Sequence, residues 1–132
     1  MRTSTAGLVG ALCFAMWQAS ALAAPQTITG KVVDLFCFNP ANGANSGMDH
    51  KADGPAEQEG RECAYSCARW EGQPVGLLAA DGKLYQLAGG VVANNNEKIA
   101  PHITHTVTIT GEVGEKDGIL TLTAGDVKMV SK

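Results

Sequence analysis

Thr106-Val107-Thr108-Ile109-Thr110-Gly111-Glu112-Val113 alternates polar and apolar residues without a break. A period of two turns one face of an extended chain to a core and the other to water, so this stretch reads as a half-buried β-strand. Near the start of the chain, Thr27-Ile28-Thr29-Gly30-Lys31-Val32 repeats the run from Thr108 to Val113, with only Lys31 in place of Glu112. A hexamer is short enough to recur by chance. The structural reading is that both strands need a glycine where a sheet coils sharply. If the two strands are neighbours, Lys31 and Glu112 are placed to pair across them.

Further strands follow on either side. Leu120 and Leu122 share one face of a segment from Ile119 to Thr123, and the glycine-bounded, charged run Gly114–Gly118 reads as the turn of a hairpin. A second hairpin joins Val75–Ala80 to Lys83–Leu87 through Asp81-Gly82, a dipeptide favoured in two-residue type I′ turns. The first strand spans about Thr27 to Phe36, and Val127–Val130 can add a short last one. Two short helices are expected, from Glu62 to Trp70 before Gly72 and Pro74, and from Asn94 to Ala100 before Pro101. Residues 39–61, rich in Asn, Gly, Asp and Glu, have no periodicity and read as a long loop of the kind that is more often functional than idle.

The order strand, loop with short helix, hairpin, short helix, hairpin is that of an all-β, five- to six-stranded Greek-key barrel of the OB type. Its first and fourth strands are neighbours, which fits the repeated hexamer. An immunoglobulin-like sandwich is the alternative, but it needs about seven strands.

Residues 1–23 read as a signal peptide: Arg2, an apolar run from Ala6 to Trp17, then Ala21-Leu22-Ala23 as a small-x-small cleavage site. Residues 24–132 then form one domain, periplasmic or secreted, with no membrane span after cleavage. Sixteen glycines and 5% aromatic residues suit a small β-rich domain with many turns. The formal net charge of −3 becomes one unit more negative without Arg2, and no basic cluster is present. That balance argues against nucleic acid and anionic membrane as partners.

The leader takes Cys13 with it and leaves three of the four cysteines, Cys37, Cys63 and Cys67. Exported thiols ordinarily pair, and an odd number leaves one over. On a helix, Cys63 and Cys67 stand at i and i+4, with β-carbons roughly 5–6 Å apart, too far for a mutual disulfide of ordinary geometry. Each is free to pair with Cys37 instead, and closing that loop contributes about 3–4 kcal/mol. Alternatively the three thiolates act together, with His50 in the long loop as a fourth ligand. Soft thiolates with imidazole suit copper(I) or zinc. The spacing matches no zinc-finger pattern, and Cys-x-x-Cys is missing, which removes thioredoxin-type and zinc-ribbon chemistry.

His102 and His105 are a second candidate pair, sharing a face only on a helical turn. The acidic residues Asp49, Asp53, Glu57, Glu59 and Glu62 lack EF-hand spacing. The chain has no nucleophile elbow, phosphate loop or H-E-x-x-H, so the reading is not an enzyme.

Taken together, Val33-Asp34-Leu35-Phe36-Cys37, Cys63-Ala64 with Cys67, Gly72-Gln73-Pro74-Val75-Gly76-Leu77-Leu78 and Asp81-Gly82-Lys83-Leu84-Tyr85-Gln86-Leu87 resemble a pattern in small exported bacterial OB-fold-like proteins of unassigned function. The resemblance implies that cysteines and hairpin belong to one design; it implies no activity. The expectation is an exported barrel that binds copper or zinc through Cys37, His50, Cys63 and Cys67, its partner being the metal ion or an exported protein. The competing expectation is a disulfide-stabilised binding or interaction module without metal.

Overall fold

A computed structural model of the protein describes residues 24–36, 38 and 64–132. The segments read as a signal peptide (1–23) and as a long loop (39–61), with Cys37, His50 and Cys63, lie outside the described residues. The elements are β1 (Gln26–Asp34), a short helix α1 (64–69), β2 (Val75–Ala79), β3 (Leu84–Ala88), β4 (Thr106–Lys116), β5 (Ile119–Thr123) and β6 (Lys128–Ser131). Two 3₁₀ turns, Gly89–Val92 and Ala100–His102, lie between β3 and β4. The sheet runs β1-β2-β3-β5-β4, and a β1–β4 pairing closes it into a five-stranded barrel, with β6 added beyond β4. The β3–β5 pair is parallel and the others antiparallel. This is the expected OB-like barrel.

Two long, coiled strands make the closure. β1 pairs with β4 over Gln26–Lys31 and with β2 over Gly30–Asp34. β4 pairs with β1 over Thr106–Gly111 and with β5 over Glu112–Lys116. Each strand changes partner at a glycine of the repeated hexamer. A Cβ on Gly30 would stand 2.5 Å from the Leu78 carbonyl oxygen, and one on Gly111 would run into the Thr123 carbonyl, 2.9 Å from the Ala124 Cβ. The glycines are there because a neighbouring backbone occupies the side-chain position. Ile28 faces Ile109, and the Thr27–Thr110 and Thr29–Thr108 hydroxyls are hydrogen-bonded at 2.8 Å. Antiparallel pairing sends Lys31 and Glu112 to opposite ends of the ladder. Lys31 faces Thr106 and Glu112 faces Thr123, so the expected cross-strand pair does not form.

The two Asp-Gly turns also correct the sequence reading. At Asp81-Gly82 the Ala79 N–H donates to Lys83 O and the Gly82 N–H to Ala79 O, both at 2.9 Å, and only Gly82 of this loop has positive φ. The loop therefore has three residues, 80–82, where a type I′ turn would also need positive φ at the aspartate. The Asp81 carboxylate instead accepts the Lys83 N–H and meets its ammonium, each at 3.1 Å. The two-residue form with both φ positive occurs at Asp117-Gly118 (+54° and +78°), because β4 runs on to Lys116 through the stretch read as a turn.

Alternate residues of the strands fill the barrel: Val32, Leu77, Tyr85, Leu87, Val107, Ile109 and Leu122 form one cluster. Val91, Ile99, Ala100 and Ile103 close it from the β3–β4 connection, and Ala64 and Ala68 from α1. Each fully buried aliphatic residue stabilises the fold by roughly 1.5–3 kcal/mol. The helix expected from Asn94 to Ala100 is cut to one turn, Ala93–Asn96, with the Glu97 N–H donating to Ala93 O at 3.2 Å and with Asn94, Asn95 and Asn96 all left-handed (φ 53°, 53° and 58°). Asparagine is among the few residues that enter this region at modest cost.

Candidate functional site

Cys67 and the described residues next to Cys37 and Cys63 lie at the corner where β1 ends and α1 begins. β1 finishes in Asp34, a fully buried carboxyl residue. Its Oδ1 accepts the Phe36 N–H at 3.0 Å and its carbonyl accepts the Phe38 N–H at 3.1 Å. One carboxyl oxygen and the backbone carbonyl of Asp34 thus set the turn after β1.

Two residues join this turn to α1. The Leu35 N–H donates to Pro74 O at 2.9 Å, and the Gln73 N–H donates to Cys67 O at 3.0 Å. Gln73-Pro74 is thus bonded on one side to the exit of β1 and on the other to the helical residue Cys67, which is buried. Of the four expected site residues, Cys67 is the one among those described; it lies on the short helix at 64–69, as expected, at this corner.

The helix is fixed by its far connection. Asn96, 5% exposed, donates from Nδ2 to Ala68 O at 2.7 Å and to Gln73 O at 2.9 Å. Both acceptors lie at the end of α1, so one amide ties helix to β2 approach. Left-handed backbone at Asn96 turns this side chain inward. Arg69 Nη1 donates to Asn94 O at 3.3 Å, and its guanidinium stacks 4.9 Å over the Trp70 ring. Tyr65 meets Trp70 edge to face at 6.2 Å. Trp70 and Phe36, about two-thirds exposed, are the most exposed large apolar residues of the described chain.

His102 and His105 stand at the two ends of one tight turn, with the His105 N–H donating to His102 O at 2.9 Å before β4 begins at Thr106. Among the described residues, no three His, Cys, Asp or Glu side chains gather as a metal-holding group, and no helix is long and apolar enough to cross a membrane. The sequence reading missed Asn96 and the burial of Asp34. The run Asn94-Asn95-Asn96 was the available signal, since three adjacent asparagines favour left-handed backbone over a helix start.

Comparison with models of known families, with curated proteins and with solved structures finds no match.

Proposed function

We propose that the protein is an exported OB-like barrel with a binding rather than a catalytic role, and that it holds one copper or zinc ion through Cys37, Cys63, Cys67 and His50. The observation that carries this reading is the double bonding of Gln73-Pro74 to Cys67 and to Leu35. Cys37 follows Leu35 by two residues, a reach of about 7 Å at most, and Cys63 directly precedes Ala64. In this reading the three thiols converge at one corner, supported by the bonds that join Leu35, Gln73-Pro74 and Cys67 from segments far apart in sequence. Thiolate sulfur with imidazole nitrogen is a donor set that fits zinc or copper(I). Asp34 and Asn96 would act as the supports that fix the two anchoring segments, as outer residues of metal sites do.

The same tethering supports a second reading, a disulfide from Cys37 to Cys63 or Cys67 in a module without metal. Titration of reduced, metal-free protein with zinc and copper(I) separates them. The metal reading requires one ion per chain, with affinity lost in Cys67→Ser. Absent binding, or binding indifferent to Cys67→Ser, removes it.

A further inference from the structure

A cleft of about 250 Å³ lies between the approach to β2, the outer face of β3 and the asparagine turn. Its polar lining consists of carboxamides: Gln73, Gln86, Asn95 and Asn96. Among the described residues, no acid, base or histidine lines it. The four amides divide by role. Asn96 spends its Nδ2 on Ala68 O and Gln73 O. The side chains of Gln73, Gln86 and Asn95 make no hydrogen bond within the described residues, though Gln73 and Gln86 are half-buried. The Asn95 amide lies over Gly72, whose φ of +68° favours glycine at this position.

We infer that this cleft is a second binding site, for a neutral saccharide. A carboxamide offers donor and acceptor side by side, which matches the paired hydroxyls of a sugar ring. The lack of a cation in the lining disfavours phosphate and carboxylate ligands, and the lack of a carboxylate disfavours amines. An extended peptide would seek an unpaired strand edge, whereas β3 is paired on both sides, with β2 and β5. The volume admits one sugar unit, and the open mouth lets a chain continue outward. This site does not depend on the metal reading, since it uses none of the cysteines or His50.

The test is side-chain amide NMR of the mature protein, titrated separately with glucose, N-acetylglucosamine and its dimer, and with a neutral blocked dipeptide. The inference expects saturable shifts of the Gln73, Gln86 and Asn95 amides with at least one saccharide and none with the dipeptide. Asn95→Gly keeps the left-handed backbone while deleting the amide, and Gln86→Leu keeps the shape of an outward strand residue. Each is expected to weaken saccharide binding about tenfold, the loss of roughly one hydrogen bond. No saturable shift with any of the three sugars, stronger binding of the dipeptide, or unchanged binding in Asn95→Gly would overturn it. Should Gln86→Leu not fold, Asn95→Gly alone decides.

Discussion

The barrel wall and the α1–β1 corner are held by different means. The wall rests on ladders of backbone bonds and on an apolar interior, and its defining positions, Gly30 and Gly111, are empty of side chain so that backbones can meet. The corner rests on a few isolated bonds: the backbone pairs Leu35 to Pro74 and Gln73 to Cys67, and the side chains of Asn96 to Ala68 and Gln73, Arg69 to Asn94, and Asp34 to its own turn. Redundant bonding makes a wall cooperative, while a corner held by a few isolated bonds can open by itself. A binding site belongs on the second kind of structure, provided the first is rigid beneath it.

The largest effect is expected where the wall has no slack. Gly111→Val drives a branched side chain into the Thr123 carbonyl and should cost about 3 kcal/mol, read as a lowered denaturation midpoint. In that variant Cys67 should become reactive toward alkylating agents only as the whole domain unfolds. A Gly111→Val protein as stable as the parent would show that the strand crossing is looser than described.

Asn96 should break the comparison in the other direction. Asn96→Gly retains the left-handed backbone but leaves Ala68 O and Gln73 O without their donor, at about 2 kcal/mol. In reduced, metal-free protein, alkylation of Cys67 should accelerate well below the unfolding transition. Asn94→Gly, which removes no buried bond, should leave that rate nearly unchanged. Equal effects of the two substitutions would mean that the corner is not hung on Asn96.

The smallest effect sits on the exposed β2–β3 loop. The Lys83 backbone N–H, and then its ammonium, hold the Asp81 carboxyl below its ordinary range, while Asp81 raises Lys83. A depressed carboxyl stabilises at neutral pH and ceases to do so as pH falls through its folded-state value; the raised lysine contribution is lost only in the alkaline range, above the ordinary lysine value. Because the pair is solvent-exposed, Lys83→Met should change stability little. NMR titration should nonetheless show the Asp81 pKa moving upward in that variant. An unmoved Asp81 would argue that the loop is shaped by Gly82 alone.

The same division explains what could be read beforehand. The strands of the wall announce themselves locally, by alternation and by turn residues, and the repeated hexamer even marks where β1 and β4 change partners. It could not give the direction of pairing, and so Lys31 and Glu112 were placed together when an antiparallel ladder parts them. The two-residue turn falls at Asp117-Gly118 because β4 runs on to Lys116, whereas the Asp81 loop takes in Ala80 and has positive φ only at Gly82. At the corner the informative bonds join residues separated by 23 to 28 positions. No local pattern encodes such a bond; the three asparagines signal an unusual backbone but not its target. Cys67 stood out by type and spacing alone, and its burial beside the β1 exit is a property of the folded chain.

The proposed metal corner is tested most directly by native mass spectrometry of the protein, expressed as the full 132-residue chain and purified from the compartment where it accumulates, with and without thiol alkylation. The account predicts one copper or zinc ion per chain and three thiols that react only after chelation. A metal-free mass two protons below that of the reduced chain, with one alkylatable thiol, would contradict it and leave a disulfide-stapled barrel in its place.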